Sequence, residues 1–254
     1  MTNTRFSLAA AFALGLFALS GCHSSQPHQV QIAGFDHSDQ TTNIAEYQHR
    51  PLSVSVTNPA GGVVVIADDS LQAPRVQART RGNLPAADLV SASLAGSALT
   101  IDRVGPDRQA LVDITVWVPQ SNGVTIRNNH GSARLVRVGG PIDVEVGSGP
   151  GSGGPIELRT QTPLRDGLRL VTTDGWIKAI APALSAGQVE VRSDDGSVFV
   201  RSDRGELTAA QVGPGYQLGT LNTGGPAITM LTGRGDVNLD LIHTPFESGS
   251  WPKH

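Results

Sequence analysis

The chain reads as an all-β protein, a β-solenoid of the β-helix or β-roll kind with turns of roughly 20 residues, carried on a flexible N-terminal tether. Three observations predict it. A short unit, Gly-x-apolar-x-apolar, recurs at Gly131, Gly140, Gly154, Gly175, Gly187, Gly196, Gly205 and Gly235. Gly131, Gly154, Gly175 and Gly196 are spaced by 23, 21 and 21 residues, and a second track, Gly187, Gly205 and Gly225, by 18 and 20. The residue three after each glycine on the first track is Arg134, Glu157, Lys178 or Phe199, so charges of alternating sign would face one another on stacked strands. A β-sandwich with strands every 8 to 12 residues is the competing reading; the double register of spacing favours the solenoid.

Composition narrows the class further. The 254 residues carry 16% charged and 4% aromatic side chains, with a net charge of −3. Lys and Arg are few and balanced by acids, which excludes an overall basic nucleic-acid footprint. A single Cys excludes an intrachain disulfide framework. With 30 Gly and 16 Pro the chain falls short of the ~25–30% that marks low complexity.

The first 21 residues form an export signal. Arg5 precedes an apolar run from Leu8 to Leu19, which is shorter than the ~20 residues a membrane span needs and matches a signal-peptide core. The run ends in Leu19-Ser20-Gly21-Cys22, and the only Cys stands at its end. This tetrapeptide resembles the lipobox of bacterial lipoproteins. The resemblance implies cleavage before Cys22, a diacylglycerol on its thiol and acylation of the new amino terminus, which together give stable anchoring where a single chain would not. His23 follows in place of the Asp that retains such proteins at the inner membrane, so the resemblance implies the outer membrane. The covalent lipid on Cys22 is the only prosthetic group expected.

Residues 22–50 read as a lipidated linker, polar and without apolar period. His23, His28, His37 and His49 are irregularly spaced and read as solvated linker residues, not metal ligands. The solenoid is expected over 51–243. Its first part alternates at Leu52, Val54 and Val56, at Leu99 and Ile101, and at Ile114, Val116 and Val118, which gives first turns or a small cap sheet. The Asp-Gly and Asn-x-Gly pairs ahead of the later strands are turn chemistry. Residues 244–254, with Phe246 and Trp251, form a C-terminal tail or cap.

Ile114-Thr115-Val116-Trp117-Val118-Pro119, then Thr172-Thr173-Asp174-Gly175-Trp176-Ile177 and Arg192-Ser193-Asp194-Asp195-Gly196-Ser197-Val198, resemble the bacterial putative-adhesin family, a domain of unknown function on envelope proteins, and are similar to autotransporter adhesin heads. The resemblance covers roughly 52–241. It implies a membrane-tethered β-solenoid and brings no catalytic residues with it. The glycine-rich stretch Gly147–Gly154 departs from the pattern.

Candidate chemistry is sparse. Gly149-x-Gly151-x-x-Gly154 has the spacing of a dinucleotide fingerprint, but Pro155-Ile156-Glu157-Leu158 follows it as a strand, where the pyrophosphate needs a helix N-terminus. No nucleotide is therefore expected. Gly233-Arg234-Gly235-Asp236 reads as a turn. Asp174 lies one period before Asp195, which adjoins Asp194; stacked acids of this kind hold a cation or act as acid and base, though Asp-Gly is also good turn chemistry. Trp176 and Phe199 fall on outward positions of successive turns, and a packed interior has no use for them there, so they form a candidate interaction patch. The function expected is a lipid-anchored envelope module for binding, adhesion or scaffolding, with an envelope protein or glycan as partner. A glycan-active enzyme built on Asp174, Asp194 and Asp195, and a spacer without ligand, are the alternatives.

Overall fold

A computed structural model of the chain describes residues 28–30, 39–43, 47–80, 90–104, 110–149, 151–203 and 207–247. Every regular element among them is a β-strand. In chain order these are β1 (His28–Val30), β2 (Asp39–Asn43), β3 (Leu52–Ala60), β4 (Val63–Ala67), β5 (Arg75–Thr80), β6 (Val90–Ala95), β7 (Ala98–Arg103), β8 (Val112–Val118), β9 (Ser121–His130) and β10 (Ala133–Val136). There follow β11 (Ile142–Val146), β12 (Ile156–Arg159), β13 (Leu168–Thr172), β14 (Ile177–Pro182), β15 (Gly187–Asp195), β16 (Val198–Ser202), β17 (Leu207–Gly213), β18 (Tyr216–Leu221), β19 (Ala227–Arg234) and β20 (Val237–Ile242).

The strands form two mixed sheets. Sheet A has 11 strands in the order β1-β6-β7-β3-β9-β11-β13-β19-β15-β18-β17, and sheet B has 9 in the order β16-β20-β14-β12-β10-β4-β8-β5-β2. Period-two alternation turns Val54 and Val56, Val144 and Val146, and Leu168 and Leu170 of sheet A toward Val63 and Val65, Ile156 and Leu158, and Val237 and Leu239 of sheet B, and these side chains share one buried core.

The β-solenoid is thereby overturned: the chain forms two facing sheets of mixed direction, in which strand order does not follow chain order. β19 lies between β13 and β15, and β20 between β14 and β16, although the chain reaches them last. The β17–β18 hairpin, β6 and β5 pair antiparallel to their neighbours, which turns stacked at one per period cannot do. The physical reason is that glycine spacing records how far apart strands begin along the chain, not where each one docks. Arg134, Glu157 and Lys178 do stand side by side, and Arg134 Nε lies 3.5 Å from Glu157 Oε2; the next neighbour of Lys178 is Asn238, with Phe199 beyond it. The segment expected as a linker also contributes strands: β1 pairs with β6 and β2 with β5, each at a sheet edge.

At the corner where the chain passes from sheet A to sheet B, backbones come very close. A Cβ at Gly131 would fall on the Gly61 carbonyl, and one at Gly154 on the Gly131 carbonyl. Gly131 also holds a φ of 126°, a left-handed conformation that side chains disfavour. Buried polar side chains at the ends of sheet A strands stitch this corner. Asn58 donates to the Val112 carbonyl (2.8 Å), Asn128 to Gly61 (2.9 Å), Thr172 to Gly154 (2.8 Å), Thr232 to Gly175 (2.7 Å) and Ser193 to Gly235 (2.7 Å). The Asn58 and Asn128 bonds are buried and the other three part-buried, and each satisfies a corner carbonyl.

Candidate binding face

The outer face of sheet B carries the candidate patch. Trp176 precedes β14, and Ile177 N donates to the Asp236 carbonyl (2.9 Å), which sets Trp176 beside Asp236. One row along, Lys178, Asn238 and Phe199 stand opposite one another on β14, β20 and β16. Trp176 and Phe199 are both outward, at 42% and 50% exposure. They are not on adjacent strands as the sequence spacing suggests, because β20 comes between them. Two strand spacings and a two-residue offset place them ~12 Å apart. Asn238, the residue that sequence reasoning missed, sits between the two rings, directly opposite Phe199 and diagonal to Trp176. Among the described residues its side-chain amide makes no hydrogen bond. Its position depends on the late docking of β20, for which the local sequence carries no signal.

The surroundings are fixed by ion pairs and hydrogen bonds. Asp236 Oδ1 accepts from Ser197 N at 2.9 Å, and Arg201 Nε donates to Asp240 Oδ1 at 3.0 Å. Glu157, near Lys178 and Arg134, has its pKa raised by burial, which outweighs the pull of those cations. The result is a sheet face with two exposed aromatic rings, an amide and a lysine, suited to stacking and hydrogen bonding with a ligand that lies along the sheet.

The acids that the spacing aligned do not face one another across the sheet. Asp174 is ion-paired with Arg234 (3.0 Å), and Asp194 with Arg192 (2.7 Å). The neighbour of Asp195 across the sheet is Arg234 on β19, not Asp174. A guanidinium thus stands where the aligned acids would have met. Among the described residues no group of His, Cys, Asp and Glu is arranged to hold a metal ion. Leu19, Ser20, Gly21 and Cys22 lie outside the described residues, as do His23 and His37.

A second feature lies at the far ends of the sheet B strands. An open cleft of about 520 Å³ is lined by Asp69, Gln120, Ser121, Arg137, Gln161 and Thr162, among others. Its cation Arg137 is engaged: the guanidinium lies over the Phe246 ring at 5.1 Å, and Arg159 approaches the same ring at 5.2 Å. Arg159 also donates from Nε to the Pro245 carbonyl and is only 2% exposed. Pro245 and Phe246 therefore cover the outer face of sheet B over Arg159.

No protein-family model matches the chain, and no curated protein does. Among solved structures the chain is similar to a putative cell adhesion protein from Clostridium sporogenes, at 7% identity and a TM-score of 0.46, over 80% of this chain and 98% of that one. It is similar also to a putative adhesin from Bacteroides fragilis (10% identity, TM-score 0.27, 81% and 96% of the two chains). A putative lipid binding protein from Parabacteroides distasonis matches at 12% identity and a TM-score of 0.27, over 65% and 72%. Likeness at this level does not assign an activity, and the function rests on the chain's own residues.

Proposed function

We propose that this protein is a lipid-anchored binding module of the bacterial cell envelope, held at the membrane through Cys22 and engaging an envelope protein or glycan through the outer face of sheet B. The observation that carries the binding role is the pair of exposed rings, Trp176 and Phe199, flanking Asn238. Large apolar side chains exposed on the outer face of a sheet mark an interaction surface. The anchor rests on Leu19-Ser20-Gly21-Cys22 at the end of an apolar run.

The test has two arms. Labelled palmitate is followed into the full chain and into Cys22→Ser; label in the first and none in the second supports the anchor. Binding of the full chain to isolated cell-wall sacculi and to solubilised envelope proteins is compared with that of Trp176→Ser/Phe199→Ser. A loss of binding with an unchanged circular dichroism spectrum supports the face, and equal binding by the double variant removes it.

A further inference from the structure

Matching the two sheets strand by strand exposes an imbalance. The chain passes directly from β3 to β4, β9 to β10, β11 to β12, β13 to β14, β19 to β20 and β15 to β16, so each sheet A strand faces its own sheet B partner. Beyond β3 and β4 each sheet adds three strands: β7, β6 and β1 in sheet A, β8, β5 and β2 in sheet B. At the other end sheet A adds β18 and β17, while among the described residues sheet B stops at β16. Among the described residues this two-strand overhang thus has no sheet B strand opposite it.

The described residues at this end are less covered. Most inner positions elsewhere are buried, but Val198 and Val200 of β16 are only half-buried. Ala209 and Val212 lie on the inner side of β17, opposite Gly219 and Gln217, and Val212 is 67% exposed. Among the described residues the backbone edge is open at Val198 and Val200 as well. Ser197 O accepts from Val237 N, and Asp203 N donates to Leu241 O, both at 2.9 Å, so alternate residues face β20. Val198 and Val200 accordingly aim their N–H and C=O groups away from β20. Inside β16 there is no proline, bulge or inward charge of the kind that blunts an edge.

We propose that a second copy of this chain fills this place. The β17–β18 hairpin of each protomer lies beside β16 of its partner, in the layer of the partner's sheet B. The selection is geometric. A two-fold axis between the layers, parallel to the strands, carries one protomer's sheet A into the plane of the other's sheet B. The overhang of one copy and the place opposite the overhang of the other have the same width, so both are filled at once in a closed, self-complementary contact. Strand direction also agrees. β16 returns against β15, and β17 runs along β15 because each is antiparallel to β18, so the rotated β17 meets β16 antiparallel. Direct two-fold pairing of β16 with its own copy is excluded, because the two overhangs would collide. The bulge between Ala209 and Gln211 divides β17 into short arms, so packing of Val212 and Ala209 carries much of the contact.

The experiment is sedimentation equilibrium of the full chain carrying Cys22→Ser, in density-matched detergent, with amide hydrogen exchange across the same concentrations. The expected result is a monomer–dimer equilibrium in which the Val198 and Val200 amides exchange more slowly as the dimer forms. Val212→Asp, exposed in the single chain, should keep the native spectrum and raise the dimer Kd about a hundredfold or more, since it buries an unpaired charge. Ala209→Asp should do the same. A monomer at every soluble concentration overturns the proposal, as does a dimer whose Kd Val212→Asp leaves unchanged. Slow Val198 and Val200 amides in the monomer would assign the place to the chain's own undescribed residues, and slowing only on addition of envelope extract would assign it to a foreign strand; either result also overturns it.

Discussion

Asn128 donates from Nδ2 to the carbonyl oxygen of Gly61, 2.9 Å away, and so ties the end of β9 to the corner between β3 and β4. The pair illustrates how two sheets turn so tightly. Glycine lets the backbones touch, and a buried amide replaces the water that the contact excludes. Asn58, Thr172, Thr232 and Ser193 repeat the device at other corners.

Asn128→Ala is expected to lower unfolding free energy by ~1–3 kcal/mol, the cost of leaving a buried carbonyl without a donor. Asn128 is almost wholly buried, so water cannot substitute. Urea denaturation checks it through a lower midpoint with an unchanged slope. A midpoint equal to that of the parent would mean that the Gly61 carbonyl finds another donor.

Gly131→Ala should cost more. The added methyl meets the Gly61 carbonyl, a backbone atom that cannot move without parting β4 from β10, and the φ of 126° is unfavourable for alanine. Overpacking and backbone strain together predict a loss above ~3 kcal/mol, enough to unfold a marginal domain. Gly96→Ala is the contrast: its φ is also positive, at 61°, but no atom lies within 4 Å, so only the conformational cost of ~1 kcal/mol remains. Soluble yield and thermal midpoint separate the two, and equal midpoints would refute the corner argument.

Local rules were legible in the sequence, and docking order was not. Gly131, Gly154 and Gly175 do open neighbouring strands, and Arg134, Glu157 and Lys178 do align, because alternation and glycine turns are written within a few residues. Gly196 continues the same spacing, yet β19 and β20 separate its strands from those of Gly175. The chain leaves after Ser202 to form the β17–β18 hairpin and returns at Ala227, and nothing local records the slot to which it returns. Parity correctly put Trp176 and Phe199 on the outside, while Asn238 between them depended on that return. Arg159 shows the converse. Its position is outward by parity, but Pro245 and Phe246 fold over it, a contact made across 86 residues.

The cover over Arg159 predicts a stability effect at the C-terminal end. Phe246→Ala removes a ring shared by the guanidinium groups of Arg137 and Arg159. The expected loss is ~1–3 kcal/mol from apolar contact and cation–π attraction. Exchange at the β12 and β14 amides should remain slow, since those bonds lie within the sheet, while susceptibility of the tail to carboxypeptidase should rise. An unchanged thermal midpoint together with unchanged digestion would show that the ring contributes nothing to the cover.

Glu157 gives a pH-dependent test whose sign is fixed by its surroundings. Burial raises its pKa above the ordinary 4.5, and Arg134, Lys178 and Arg159 only partly offset this. A carboxyl raised in the folded state contributes stability that is fully present below the unfolded value and is lost as pH rises through the folded one. At neutral pH the charged Glu157 is therefore a net cost, despite its 3.5 Å approach to Arg134 Nε. Glu157→Gln keeps the shape and cannot ionise, so its thermal midpoint should exceed that of the parent at pH 7. The difference should shrink on acidification and vanish below pH 4.5. A variant less stable than the parent at pH 7, or a difference independent of pH, would show that the Arg134 pair outweighs burial on this face.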